Sequence, residues 1–110
     1  MKKETEENIE QLQLIEQNLQ TILAQKQNFQ TQILETENAL EELKKSKDNI
    51  YKLIGSIMVL SEKNDVEIYL NSKKEVIELR IKNLEKQESK LKEKANEIQQ
   101  VVLKELKKEG

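Results

Sequence analysis

Cysteine, histidine, proline and tryptophan are all missing from this 110-residue chain, and only two glycines occur in it. Without cysteine there are no disulfides and no thiol nucleophile; without histidine there is no imidazole base or soft nitrogen ligand for a metal. The lack of disulfides fits a reducing compartment, so a cytoplasmic location is expected. Two glycines exclude a glycine-rich phosphate cradle, and no G-x-x-x-x-G-K-S/T string occurs. Three aromatic residues and a hydrophobic content of 35% are too little to fill a globular core. No apolar run approaches the roughly 20 residues that cross a bilayer, and nothing reads as a signal peptide, so no membrane partner is expected. Acidic and basic residues number 21 and 19, for a net charge of −2, which offers nucleic acid no basic face.

What is present is Glu, Lys, Gln and Leu in helical rhythm, with 36% of residues charged. Alternating steps of three and four from Leu12 visit Ile15, Leu19, Ile22, Lys26, Phe29, Ile33, Thr36, Leu40, Leu43, Lys47 and Ile50, nine of the twelve positions being apolar. The same count from Leu70 visits Lys74, Ile77, Ile81, Leu84, Glu88, Leu91, Ala95, Ile98, Val102 and Glu105, with eight of eleven apolar. These are coiled-coil seams. They predict helices over about 5–48 and 65–107, the second opened by Asn64 and Glu67 as a capping box. Each would run about 60 Å at 1.5 Å per residue. Joined by a short connection, they should fold back as an antiparallel pair, matching residues whose numbers sum to about 113. Lys26 then meets Glu88, either as a register-fixing ion pair or as two independent solvated charges.

Between the seams lies "IYKLIGSIMVL", β-branched and aromatic residues around Gly55-Ser56. A two-residue turn opened by glycine is a type II′ hairpin signal, predicting a hairpin over about 50–61. Ile54 would face Ile57, Leu53 face Met58, Lys52 face Val59 and Tyr51 face Leu60. One face is then wholly apolar, and the other is broken only by Lys52 and Ser61. Such a hairpin, with two open edges, is unstable alone in water. Either it is a hydrophobic loop between helices or, as we favour, hairpins of several chains pair into a shared sheet. The fold class expected is therefore mainly α, a long antiparallel two-helix coiled coil with a β-hairpin at the hinge, oligomerising through the hairpins.

Near the chain ends Ile9, Leu14, Val101, Leu103 and Leu106 fall outside the seams. Clustered among Gln and Glu, they are either a binding surface or the incidental apolar residues of fraying ends. Catalysis has no candidates: carboxylate pairs such as Glu41-Glu42 sit on solvated helix faces without a pocket to shift them. No enzyme activity, metal or cofactor is expected.

The order of these parts, and several strings in them, resemble a β-type subunit of prefoldin, the chaperone also called the GimC complex. The specific part is "IYKLIGSIMV", which is similar to the family's hairpin string at Ile50, Tyr51, Lys52, Gly55 and Ile57–Val59. The Gln-rich first helix, ending in "ALEEL", and "ELRIKNLEKQESKLKEK" in the second also resemble the family. Ser56 stands where eukaryotic subunits often carry proline, an archaeal-like trait. A single hairpin matches the β type rather than the longer, two-hairpin α type. The resemblance implies a single β-type domain over 1–110, assembled as two α-type with four β-type subunits through a hairpin platform. It implies ATP-independent capture of unfolded polypeptides at the coil tips and delivery to a group II chaperonin. On this reading Ile50, Tyr51, Leu53, Ile54, Ile57, Met58, Val59 and Leu60 build the platform. Ile9, Leu12, Leu14, Ile15, Ile98, Val101, Val102, Leu103 and Leu106 meet the client. The alternative is a static coiled-coil scaffold or tether with one defined folded partner.

Overall fold

A computed structural model describes residues 2–109, without the side chain of residue 109; Met1 and Gly110 lie outside the described residues. The order is helix α1 (Lys3–Lys45), strand β1 (Ile50–Ile54), strand β2 (Ile57–Ser61) and helix α2 (Lys63–Glu109). The chain divides into two compact units, one of Met1–Gln27 with Lys82–Gly110 and one of Asn28–Ile81. Each is a pair of antiparallel helical segments, and the second also holds the hairpin.

In the first unit the seam is real. Ile15, Ile22, Leu84 and Val102 are buried, and Leu12, Leu19, Leu91, Ala95 and Ile98 are half-buried. Lys26 and Glu88 do form an ion pair, 3.5 Å apart, with side chains only 17% and 21% exposed. Lys2 reaches Glu105 at 3.9 Å. The seam also continues one heptad beyond its predicted start, through half-buried Asn8 to Thr5, which is fully buried. The Thr5 hydroxyl has no hydrogen-bond partner among the described residues.

In the second unit Leu43, Val66 and Ile77 are buried beside Thr36, whose hydroxyl donates to the Gln32 carbonyl at 2.7 Å. Lys74 pairs with Glu37 at 3.1 Å. The first seam stops earlier than predicted. The helix ends at Lys45, so Lys47 is exposed and Ile50 belongs to a strand. Across the hinge the Lys63 ammonium caps this end, donating to the carbonyls of Lys44, at 3.2 Å, and Ser46, at 3.5 Å. A cation on the last carbonyls satisfies orphan acceptors and opposes the negative end of the helix dipole. The second helix starts before the expected 65. Its first bond runs from the Val66 N–H to the Glu62 carbonyl at 3.1 Å, so Asn64 lies inside the first turn and is not the cap.

The hairpin register is Ile50 with Ser61, Tyr51 with Leu60, Lys52 with Val59, Leu53 with Met58, and Ile54 with Ile57. Gly55 has φ of 61° and no other described residue has positive φ. A type I′ turn needs two positive values, so the turn is type II′.

Candidate functional site

Two apolar surfaces stand out from this charged coil, one in each unit. In the hairpin unit Tyr51, Leu53, Met58 and Leu60 share one sheet face, with Leu53 and Met58 each 67% exposed. The opposite face carries Ile54, Ile57 and Val59, also exposed, and half-buried Ile50. It also carries Lys52, whose ammonium lies 3.5 Å from the centroid of the Tyr69 ring. That cation–π contact ties Lys52 to α2 and leaves the hairpin's lone charge half-buried. Among the described residues β1 pairs only with β2, so each strand presents one unpaired edge. Beside β1 lies a groove of about 500 Å³ whose apolar lining includes Ala39, Leu43, Tyr51, Leu53 and Leu70. A two-stranded sheet with open edges and two exposed apolar faces is marginal alone in water, and its edges are open to strand pairing.

In the first unit the nine residues expected to meet client separate into three groups. Leu14 and Leu103 are each 57% exposed, and Val101 and Leu106 are also exposed. Ile9, Leu12 and Ile98 are half-buried. Ile15 and Val102 are buried in the seam, and could touch another chain only if the coil opened. Their seam positions in the heptad count carry the signal for this; proximity to the chain ends does not. The off-seam residues do not form one patch either. At 100° per residue, Ile9 and Leu14 lie about 140° apart around α1, and Val101 and Leu103 lie about 160° apart around α2. Apolar side chains therefore flank the seam on both sides.

Among the described residues no group of His, Cys, Asp or Glu is arranged to hold a metal ion. No helix among them is long and apolar enough to cross a membrane. The second unit has further exposed apolar residues that the sequence reading passed over: Ile68, Val76 and Leu79 on α2 and Leu34 on α1. Steps of eight and three between the first three place them on the outward face of α2, a period that the search for seams did not follow.

A charged coil that exposes an apolar hairpin and apolar flanks offers surfaces of the kind that contact other polypeptide. The prefoldin subunit family model matches residues 6–109, and the chain belongs to this family of chaperone subunits. The prefoldin subunit beta of Archaeoglobus fulgidus is 50% identical over 64 residues, covering 56% of this chain and 55% of that protein. That of Saccharolobus islandicus strain L.S.2.15 is 42% identical over 62 residues, covering 54% and 49%. The chain thus spans about half the length of the curated relatives it matches. The crystal structure of the prefoldin beta subunit from Thermococcus strain KS-1 superimposes with a TM-score of 0.86 at 32% identity, covering 96% of this chain and 94% of that one. The expected likeness to an archaeal β-type subunit is met by the family model, the relatives and the solved fold alike.

Proposed function

We propose that this chain, residues 1–110 as a single β-type domain, is a subunit of a cytoplasmic, ATP-independent holdase. It captures unfolded polypeptides at the end of the coil formed by residues 2–27 and 82–109 and delivers them to a group II chaperonin. The assembly is a hetero-hexamer of two α-type and four β-type subunits, joined through Ile50, Tyr51, Leu53, Ile54, Ile57, Met58, Val59 and Leu60. Client is held by Leu14, Val101, Leu103 and Leu106, with the half-buried Ile9, Leu12 and Ile98 beside them. No catalysis and no cofactor take part. The observation that carries the reading is the pair of separate apolar surfaces: a hairpin apolar on both faces and off-seam apolar residues flanking the terminal coil. Non-directional apolar contacts accept many sequences, and several subunits in one assembly add weak contacts into useful avidity.

The test is light scattering of a chemically unfolded protein diluted into nucleotide-free buffer, with and without the chain assembled with an α-type partner. Suppressed aggregation of many unrelated clients, and no binding of the same clients when native, supports the chaperone. Saturable binding to one folded protein alone would favour the tether.

A further inference from the structure

In the hairpin unit α2 carries two apolar stripes, and its seam with α1 uses only one. Ile68, Val76 and Leu79 are 58%, 50% and 59% exposed, and Ser72 lies exposed among them. At 100° per residue these four fall within an arc of about 80°, and Tyr69 widens it to about 100°. The arc faces away from Ile77, which is buried in the seam. Charge is sorted along its two margins. Arg80 and Lys73 lie about 20–40° beyond the Tyr69 margin, and Glu75 and Glu78 about 20–80° beyond the Ile68 margin. All four are exposed, and among the described residues none forms an ion pair. Arg80 has a ring contact, its guanidinium 5.9 Å from the centroid of Phe29. Two copies of such a stripe are complementary in one orientation only. Parallel helices related by a twofold set the cationic margin of each against the acidic margin of the other, whereas antiparallel helices set Lys73 and Arg80 against their own copies.

We propose that this stripe is a second contact between copies of the chain: two α2 helices pack in parallel through Ile68, Ser72, Val76 and Leu79. The proposal rests on the multi-subunit reading above and adds to it a helix contact that the hairpins do not supply. Three turns of helix bury too little to hold two chains alone. The contact forms once the hairpins hold the copies at high effective concentration. Its apolar centre supplies the attraction, and the sorted margins select the parallel orientation.

The parent has no cysteine, so single cysteines report the contact. The full-length chain is assembled with an α-type partner, and Ser72→Cys and Leu79→Cys are each oxidised. Both should yield disulfide-linked dimers of this chain, because in a parallel pair each central position meets itself within disulfide reach. Asn71→Cys, about 100° round the helix from Ser72, should not link. Lys73→Glu with Arg80→Glu should slow the Ser72→Cys link about tenfold at low salt, and adding Glu75→Lys and Glu78→Lys should restore it. Circular dichroism and sedimentation should show the parent's helices and oligomer in every variant. Linkage at neither position in an intact oligomer overturns the contact and leaves the hairpin platform standing. Linkage at only one of the two overturns the parallel orientation. Ready maleimide labelling of both cysteines in that oligomer shows an open face, and protection without linkage shows a different subunit on it; either result overturns the proposal. A parent that sediments as a monomer sinks the platform and the inference together.

Discussion

Lys26 and Glu88 interrupt two otherwise apolar seams, and the structure makes the consequences of removing them unequal. Two unit charges 3.5 Å apart attract by about 5 kcal/mol at an effective dielectric of 20. Desolvation of both groups cancels most of that, since side chains 17% and 21% exposed have lost much of their hydration. The intact pair therefore contributes little net stability, and what matters is the charge left behind when one member goes. Glu88 has a second partner, Lys92, at 3.6 Å. Lys26 forms no other ion pair among the described residues.

Lys26→Met should accordingly cost less than about 1 kcal/mol, because Glu88 keeps Lys92 and the seam gains an apolar side chain. Glu88→Met leaves Lys26 as an unpartnered ammonium at the seam. Full burial would cost about 3–5 kcal/mol, and a lysine stem that can bend its head towards water reduces this to about 1–2 kcal/mol. For a chain of this size that is a fall of roughly 4–8 °C in Tm. The double variant should recover the loss and equal or exceed the parent, since an apolar pair replaces a costly ionic one. Thermal unfolding by circular dichroism, at one fixed protein concentration, reads all four corners of the cycle. The reasoning is refuted if Lys26→Met is the costlier single change, or if the double variant is less stable than either.

Three further outcomes can be checked with the same equipment and an ultracentrifuge. Thr5→Val replaces a fully buried hydroxyl that has no partner among the described residues with a methyl of the same shape, and should raise stability by about 1 kcal/mol in a melting curve, whereas the same change at the hydrogen-bonded Thr36 should not. Gly55→Ala meets no atom within 4 Å, so its cost is that of φ at +61° alone, about 1–2 kcal/mol, and Gly55→Asn should cost less; amide exchange across the hairpin measures both. Ile54→Asp with Ile57→Asp sets two like charges directly opposite in the register, and sedimentation should show the assembly dissociated while the helical signal persists.

The parts of this fold that were readable in advance are those that repeat. Every seam position from Leu12 to Leu43 and from Leu70 to Glu105 is buried or half-buried, because a 3.5-residue period states a helix face unambiguously. The hairpin register was equally legible, since a Gly-X turn leaves one pairing and the side chains alternate by two. What escaped was non-repeating or polar. Thr5 and Asn8 extend the seam but carry no hydrophobic signal. Lys63 caps α1 from 18 residues beyond Lys45, and Lys52 meets Tyr69 between strand and helix. Both contacts depend on how the chain returns at the hinge, which no local pattern encodes. At the candidate site, distance from the chain end was a poor guide to exposure: Ile15 is buried and its neighbour Leu14 is not.

That neighbouring pair also explains why the apolar surfaces imply partners. A two-helix coil offers each helix one inward stripe, and Ile15 and Ile22 fill it on α1. Leu14 cannot reach that stripe without rotating the whole helix and expelling Ile15, because consecutive residues lie about 100° apart. No rearrangement of the pair buries both. The same holds in the hairpin, where Leu53 and Met58 on one face and Ile54 and Ile57 on the other are all exposed, since successive strand residues point to opposite faces and covering one face cannot cover the other. In each unit the chain carries more large apolar residues than its own architecture has interior to receive. That surplus is the feature on which the proposed platform and client contacts both rest.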